Sequence, residues 1–222
     1  MSEGKISEGD SASGGSICTI MPPYLVLRDF LEDGSVAGLL DFTLANEAAF
    51  DPTWLGGEEK GRFDPTIRFS TGTRDLGPYR RPLKEKLRAL VPGLVARLRV
   101  TPVDEPKFEL QLVAHNDGAF YKRHIDTRTV TDRAHIRVLS GVYYFHAKPK
   151  AFEGGALRLY ALGDPEYRTF IDIEPEHNTM LVFPSWAPHE VMPVSCPSGL
   201  FADSRFAINC WMHRKRAQVE SE

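Results

Sequence analysis

The second half of the sequence is a series of short β-rich segments separated by turn residues, and this series restricts the possible folds more than any other feature. Eight such segments follow one another, at residues 108–113, 121–126, 136–145, 156–160, 169–173, 179–183, 190–194 and 205–211. Many short strands with turn signals between them are typical of a β-sandwich or jelly roll. We therefore predict a β core over about residues 108–213.

The first half of the sequence predicts helices that pack on this core. Residues 24–27 are strand-like, and Ser35 is a candidate N-cap for a helix that follows it. Residues 51–79 are dense in Gly, Asp and Pro and are predicted to form a loop. Leucines at helical spacing predict a second helix over residues 81–98, which Pro92 should kink or divide. Helices followed by strands indicate an α+β fold, here a double-stranded β-helix (jelly roll) with the N-terminal helices packed on one sheet.

The composition is that of one soluble domain. A chain of 222 residues can bury one substantial core, so we predict a disordered tail over residues 1–20 and a single domain over residues 21–222. No apolar run is long enough to span a membrane, and a net charge of -3 gives no electrostatic reason to expect a nucleic-acid partner. Three cysteines without a CxxC pair, and no secretory signal, predict a cytoplasmic protein. The oligomeric state is not predictable from these features.

Two His-x-Asp sequences are candidate metal sites, because residues i and i+2 of a strand project from the same face. The pair His115 and Asp117 belongs to an Asn-Asp-Gly sequence, which is typical of a turn that ends a strand. No turn residue separates His124 from Asp126, so both side chains could point from one extended segment. We assign His124 and Asp126 as metal ligands; the alternative is that His124 is an ordinary polar strand residue.

A third ligand is predicted at His189, which lies between an apolar strand and a further β segment. Two imidazoles and one carboxylate on one face of an octahedral ion leave three positions open, an arrangement typical of non-haem iron(II) oxygenases. Zinc is the chemical alternative, but a hydrolytic zinc site needs a general base. Glu190 should point away from the metal, as the neighbour of a ligand in a strand. The pattern therefore favours iron.

A single basic residue, Arg205, begins the last apolar strand. A buried guanidinium needs an anion, and 2-oxoglutarate fits, because it can chelate iron through its 2-oxo acid end while its far carboxylate pairs with Arg205. The charges of iron(II), Asp126, the dicarboxylate and Arg205 then cancel, which makes burial of the whole site tolerable. The alternative is that Arg205 is a surface residue at a strand end.

The same region carries a series of motifs in a fixed order. They are Tyr121-x-x-His124-x-Asp126, Val142-Tyr143-Tyr144-Phe145, Gly154-Gly155-Ala156-Leu157-Arg158-Leu159, Ile173-Glu174-Pro175, Pro188-His189-Glu190-Val191-x-Pro193 and Arg205-Phe206-Ala207-Ile208-x-x-Trp211. This series resembles the prolyl hydroxylases of the 2-oxoglutarate and iron(II)-dependent oxygenase superfamily, in particular the oxygen-sensing type and its bacterial relatives.

The resemblance implies Fe(II) as the metal, 2-oxoglutarate as cosubstrate, O2, and ascorbate as reductant. It implies catalytic roles for His124, Asp126 and His189 as iron ligands and for Arg205 as the partner of the cosubstrate. The further cofactor contacts that it implies are at Tyr121, Tyr144, Leu157 and Trp211. One of Tyr143 and Tyr144 must face away from the pocket, since strand neighbours alternate; the resemblance implies that Tyr144 faces it, and simple core packing is the alternative for both.

Two positions depart from the pattern of that family. His115 stands near the place of a second pocket tyrosine, where it is expected to touch the cosubstrate or the substrate unless it is a satisfied loop histidine. Asn209 replaces a small hydroxyl residue near the iron. The stretch of residues 195–203 is also longer than usual in that family, which affects the alignment of Arg205 with the position that binds the cosubstrate.

The resemblance implies hydroxylation of a prolyl residue in a protein or peptide. Residues 61–79 and 127–135 are candidate lids that grip this substrate, although plain surface loops are the alternative. Hydroxylation of a free amino acid or another small molecule is the leading enzymatic alternative. A catalytically silent metal-binding or ligand-binding barrel is the alternative from another class, against which Asp126 and Arg205 together argue.

Overall fold

The computed structural model describes residues 19–55, 61–127 and 135–215. Its two helices are α1 (Asp33–Ala45) and α2 (Arg80–Leu98). The strands are β1 (Leu25–Leu27), β2 (Asp51–Pro52), β3 (Arg68–Phe69), β4 (Thr71–Thr73), β5 (Lys107–His115), β6 (Phe120–His124), β7 (His135–Phe145), β8 (Glu153–Gly154), β9 (Leu157–Tyr160), β10 (Phe170–Ile173), β11 (Thr179–Pro184), β12 (His189–Val191), β13 (Val194–Ser195) and β14 (Arg205–Lys215). The tail predicted over residues 1–20 lies outside the described residues, apart from its last two.

Two antiparallel sheets face each other, as the predicted jelly roll requires. The larger sheet has the strand order β1-β11-β7-β14-β5-β4-β2, and the smaller has the order β10-β9-β12-β6-β3. Strands β8 and β13 form a separate pair. Both sheets contain neighbours that lie far apart in sequence, for example β14 beside β5 and β12 beside β6, so the space between the sheets is lined by residues from distant segments.

Alternate residues of the central strands face opposite sides of the larger sheet. The outer face joins both helices in one buried apolar cluster, with Leu112, Tyr143, Ile208 and Met212 among its members. The inner face contributes to a second cluster together with the smaller sheet; its members include Val113, Tyr144, Leu157, Phe183 and Ala207. The helices thus cover one sheet only, and the other face of that sheet is left for the pocket.

Both helices differ in detail from the sequence prediction. Helix α1 begins at Asp33 and is preceded by Glu32 as N-cap, whose carbonyl accepts the backbone N–H of Ser35; Ser35 is therefore inside the first turn and is not the cap. Helix α2 is not divided at Pro92. Buried residues on both sides of Pro92, such as Leu87 and Leu94, hold the helix against the sheet, and this packing outweighs one missing hydrogen bond. Among the described residues, no helix is both long and apolar enough to cross a membrane.

The segment 51–79 is not the continuous loop that its composition indicates. It contains β2 and β4, which form the edge of the larger sheet, and β3, which pairs with β6 at the edge of the smaller one. Strands of two or three residues are too short to show an alternating pattern, so they are not recognisable in the sequence. Part of the candidate lid 61–79 is therefore sheet. Of the other candidate lid, residues 128–134 lie outside the described part of the chain.

Candidate active site

The three predicted metal ligands converge at one end of the smaller sheet. His124 ends β6 and His189 begins β12, and the two residues are direct partners in the antiparallel register. Asp126 Oδ1 lies 3.8 Å from His124 Nε2, and Asp126 Oδ2 lies 3.6 Å from His189 Nε2. One donor atom from each residue lies within 4.8 Å of the other two. The spacing suits three ligands on one face of a single ion.

Asp126 reaches this place by a different route from the one that the sequence predicts. Strand β6 stops at His124, so Asp126 is not a strand residue projecting from the same face. Instead, the backbone N–H groups of Asp126 and Thr127 both donate to the carbonyl of Ser185, each at 2.9 Å. This contact ties the end of β6 to the segment just before His189, so one backbone junction positions two of the ligands.

Hydrogen bonds to the backbone set the tautomers of both histidines. Nδ1 of His124 lies 2.8 Å from the carbonyl of Lys122, and Nδ1 of His189 lies 2.9 Å from the carbonyl of Ala187. Because a carbonyl only accepts, each Nδ1 must carry a proton, so in the neutral imidazole the lone pair is on Nε2. Both lone pairs then belong to the nitrogens that lie near Asp126, which is the second-sphere arrangement of a metal-binding histidine.

The Asp126 carboxylate is held by hydroxyl and guanidinium groups. Ser140 Oγ donates to Asp126 Oδ2 at 2.6 Å and lies 2.9 Å from Ser185 Oγ, and Arg137 Nη1 lies 3.7 Å from Asp126 Oδ1. Burial alone would raise the pKa of Asp126, but the neighbouring histidines, Arg137 and Ser140 outweigh it and lower the pKa. Burial, and next the proximity of His189, lower the pKa of His124 to about 3. Two imidazoles that turn Nε2 toward one carboxylate form a donor set that a divalent cation fits.

Arg205 is buried deep between the sheets, with 1% of its surface exposed. Its Nε donates to the carbonyl of Gly155 at 2.8 Å, and its Nη1 lies 3.3 Å from His115 Nδ1. Within the described part of the chain, its Nη2 and the hydroxyl of Tyr144 are buried without a hydrogen-bond partner, and the Tyr144 ring lies 4.8 Å from the guanidinium carbon. A buried donor without a partner costs free energy unless a ligand satisfies it. The donors that these two groups offer fit a carboxylate.

His115 supports Arg205 as a neutral acceptor. It is the last residue of β5 and the register partner of Arg205. Burial, followed by the charges of Arg205 and Arg68, lowers the pKa of His115 well below its usual value. A neutral Nδ1 can accept from Arg205, whereas a charged imidazole would repel it. The chain turns after His115, at Asn116–Gly118, as the Asn-Asp-Gly sequence predicts.

Two glycines make room for Arg205. Gly155 has φ +71°, and a Cβ at this position would lie 2.6 Å from Arg205 Cδ. Gly154 has φ +68°, and a Cβ there would lie 2.4 Å from the carbonyl oxygen of Pro193. Any other residue would be strained at both positions. The Gly-Gly pair therefore lets the backbone approach the guanidinium and accept its Nε–H.

The remaining predicted residues occupy the same inner face at different depths. Leu157 and Tyr144 are buried in the inner cluster, whereas Tyr143 belongs to the helix-covered face. Tyr121 stacks on His124 with ring centroids 3.6 Å apart.

Trp211 is half-buried, and its ring lies 4.0 Å from the guanidinium carbon of Arg137. Asn209 is half-buried between Val142 and Gln111 on neighbouring strands. Glu190 points away from the ligands and accepts a hydrogen bond from Tyr160, as expected.

Three polar residues of the site escape the sequence reasoning. Ser140 and Arg137 lie on β7, where a bulge leaves Val138 without a partner between Leu139 and Arg137. Val138 and Leu139 both face the helices, so the bulge turns Arg137 onto the inner face. Arg68 lies on the short strand β3 and is also buried. The only signal in the sequence was a charged residue inside an apolar run, which applies to Arg137 alone.

The family relationship agrees with this geometry. Residues 110–213, which contain the triad and Arg205, match the family model described as the 2OG-Fe(II) oxygenase superfamily. This match covers just under half of the chain and places the similarity to that superfamily in the jelly-roll core. The predicted relationship to prolyl hydroxylase-like members of this superfamily is confirmed at the level of family and fold.

Individual relatives are similar to this oxygenase core. An uncharacterised PKHD-type hydroxylase of Synechocystis sp. is 40% identical over 141 residues, which are 60% of this chain and 45% of the relative; the match thus spans less than half the length of that protein. A Pseudomonas putida prolyl-4-hydroxylase superposes with a TM-score of 0.59 at 24% identity, over 87% of this chain and 93% of that one. A Trichoplax adhaerens prolyl hydroxylase in complex with a hypoxia inducible factor peptide superposes with a TM-score of 0.62 at 21% identity, over 86% and 83%. At these identities the two structures show a shared fold.

Proposed function

We propose that this chain is an iron(II)- and 2-oxoglutarate-dependent dioxygenase that hydroxylates a prolyl residue of a protein or peptide. One observation carries the proposal: the inner face combines a His-Asp-His triad with a buried guanidinium and a buried phenol that have no partner. A metal-binding scaffold needs the triad only. The unpaired Nη2 of Arg205 and hydroxyl of Tyr144 require a second ligand, and a dicarboxylate that also reaches the metal satisfies both groups.

The residues have distinct tasks in this scheme. His124, Asp126 and His189 would hold the iron, and Ser140 would keep the carboxylate oriented through its hydrogen bond to Oδ2. Arg205 and Tyr144 would bind the far carboxylate of 2-oxoglutarate, and Leu157 would pack against its carbon chain. When bound, iron, 2-oxoglutarate and O2 supply the oxidising chemistry that hydroxylates a C–H bond, and the protein contributes positioning and exclusion of water.

The prolyl substrate is supported by the relatives. Both superposed structures are named prolyl hydroxylases, and one of them holds a peptide. The curated relative with 40% identity is named a PKHD-type hydroxylase. We infer a protein or peptide substrate from these names, and hydroxylation of a free amino acid is the outcome that would correct this inference.

A succinate assay tests the oxygenase chemistry. Purified protein with iron(II), ascorbate and 2-oxoglutarate should release succinate, and Asp126→Ala should abolish the release. Glu190→Gln is a matched control, since this carboxylate adjoins His189 but is bonded to Tyr160 outside the pocket, and it should keep the activity. No succinate from the wild type, or full activity in Asp126→Ala, would contradict the proposal.

The substrate is tested by mass spectrometry of the products. A proline-containing peptide and free proline are incubated separately with the active protein, and the gain of one oxygen atom is measured in each. We expect oxygen in the peptide only. Oxygen in free proline alone would assign the enzyme to small molecules and leave the oxygenase chemistry intact.

A further inference from the structure

The inner face contains a second buried guanidinium, that of Arg68. This residue begins β3 and is 6% exposed. Its Nε donates to Ser70 Oγ and its Nη2 donates to Gln111 Oε1, both at 3.3 Å, and its guanidinium carbon lies 5.0 Å from the ring centre of Tyr121. Both hydrogen bonds are long, and both partners are neutral. Within residues 19–55, 61–127 and 135–215 no carboxylate forms an ion pair with Arg68.

A comparison with other arginines shows that the neutral partners of Arg68 are unusual. The exposed Arg28 and the half-buried Arg158 each hold a carboxylate through two hydrogen bonds, with Glu176 and Asp172 respectively. Water already solvates such partly exposed groups, so they need a partner least. Arg205 and Arg68 are the buried arginines of the described residues, and neither forms an ion pair with a carboxylate there. For Arg205 the proposed cosubstrate supplies it, and Arg68 needs an anion of its own.

The charged groups around the candidate metal site leave the positive charge of Arg68 without a negative charge to balance it. The negative charge of Asp126 favours the positive charge of Arg68, but Asp126 already faces both histidines and Arg137. Arg137 in turn is paired with Glu109 at 2.7 Å. The iron, Asp126, 2-oxoglutarate and Arg205 together are neutral, so one buried positive charge remains when the proposed cofactors are bound. A substrate that brings a single negative charge would neutralise it.

Arg68 is also in the right place to meet a substrate. Tyr121 connects Arg68 with the candidate metal triad. Its ring stacks on His124, and its ring centre lies 5.0 Å from the guanidinium carbon of Arg68. Gln111, its second partner, lies beside Asn209 on the inner face of the larger sheet. The guanidinium therefore bridges the two sheets close to the ligand His124, where a substrate must approach.

We propose that Arg68 is a specificity residue that binds a carboxylate of the substrate. This inference rests on the proposed function and deepens it: the hydroxylated residue would carry its own C-terminal carboxylate or adjoin an acidic side chain. Arg is suited to this task, because its planar fork pairs with a carboxylate through two hydrogen bonds.

Binding to an inactive complex tests the proposal without turnover. The protein is loaded with manganese(II) and N-oxalylglycine, and titration calorimetry follows three alanine peptides with one proline: a fully neutral amide, the same amide with a glutamate beside the proline, and a peptide that ends in a proline carboxylate. We expect one of the two acidic peptides to bind about ten- to a hundredfold more tightly than the neutral one. Which of them gains identifies the source of the carboxylate.

Variants then assign the gain to Arg68. Arg68→Gln should remove the preference for the acidic peptide, and Arg68→Lys should keep part of it. Arg158→Gln is the matched control, an arginine on the smaller sheet that is already paired with Asp172, and it should keep the full preference. Circular dichroism verifies that each variant is folded. If Arg68→Gln does not fold, the comparison of the three peptides on the wild type still decides the proposal.

Three results would overturn the inference. The first is equal binding of the neutral and both acidic peptides by the wild type. The second is an unchanged preference in Arg68→Gln. The third is a loss of affinity for N-oxalylglycine in Arg68→Gln, which would assign Arg68 to the cosubstrate. Failure of the proposed function is recognised separately, because the wild type would then release no succinate from 2-oxoglutarate.

Discussion

The two faces of the larger sheet are built by alternate residues of the same strands, yet they are satisfied in different ways. On the helix-covered face, the buried Tyr143 hydroxyl donates to Asn178 Oδ1 at 3.0 Å. On the inner face, the hydroxyl of its neighbour Tyr144 has no partner, and neither has Nη2 of Arg205. Among the described residues, folding alone satisfies the outer hydroxyl, whereas the two inner groups are left for the ligand of the proposed function. Substitutions in a single strand should therefore change mainly the stability of the fold at outer positions and mainly ligand binding at inner positions.

The bulge in β7 shows how the two faces are kept apart. Val138 and Leu139 both pack with the helices, and Arg137 then faces inward beside Trp211 and Asp126. A regular strand would place Arg137 and Leu139 on the same face. The extra residue therefore lets Arg137, a polar residue of the inner face, adjoin Val138 of the apolar cluster in the sequence.

The largest expected effect on stability is on the outer face. Ile208 is fully buried against the helices, so Ile208→Ala should lower the free energy of unfolding by about 2–5 kcal/mol. The affinity of the folded protein for 2-oxoglutarate should stay unchanged, because the side chain points away from the pocket. Urea unfolding and calorimetry measure the two quantities. A loss of affinity in a folded Ile208→Ala protein would show that the two faces are coupled.

A substitution of Arg205, an inner residue of the same strand as Ile208, should have the opposite profile. With manganese(II) and 2-oxoglutarate at a hundredfold excess over its dissociation constant, ligand binding should stabilise the wild type by about 2.7 kcal/mol. In Arg205→Met this ligand-dependent stabilisation should disappear, since the far carboxylate loses its partner. Arg158→Met, which removes a half-buried guanidinium from the other sheet, is the control and should keep it. Undiminished stabilisation of Arg205→Met would refute the carboxylate pocket.

The parts of this site that the sequence predicts are those that depend on local chemistry. The candidate metal ligands His124 and Asp126 are recognisable from a His-x-Asp pattern without a turn residue, and Arg205 from a charge that begins an apolar strand. Tyr144 is chosen over Tyr143 from the family resemblance, since strand alternation says only that one of the two faces away. Arg68 is not recognisable, since it belongs to a strand of two residues within a segment whose composition indicates a loop. Asp126 lies beside both histidines for a reason other than the predicted one, because its position depends on the carbonyl of Ser185 in a distant segment. Tertiary contacts of this kind leave no periodic signal.

The rim of the pocket should contribute a modest, pH-dependent part of the stability. Burial would raise the pKa of Glu109, but the contacts of His213 and Arg137 outweigh it and lower the pKa to about 2. A depressed pKa in the folded state adds stability above the usual pKa of a glutamate, and this is lost as the pH falls toward 2. Glu109→Gln should therefore be less stable than the wild type by about 1–2 kcal/mol at pH 7, since the side chain is partly exposed. Urea unfolding at several pH values should show this difference shrinking below about pH 5; a difference independent of pH would exclude an ionic origin.

The smallest effects should come from the two adjacent tyrosines, which form a matched pair because each loses only a hydroxyl. Tyr143→Phe should lower the free energy of unfolding by about 1 kcal/mol, since the hydrogen bond to Asn178 is lost, and should leave the KM for 2-oxoglutarate unchanged. Tyr144→Phe removes a buried hydroxyl that has no partner in the absence of ligand, so stability should not fall, whereas the KM should rise by about fivefold. Urea unfolding without ligand and succinate kinetics measure the two quantities in both variants. If Tyr144→Phe loses stability and keeps its KM, its hydroxyl serves folding, and the division of labour between the two faces does not hold at this strand.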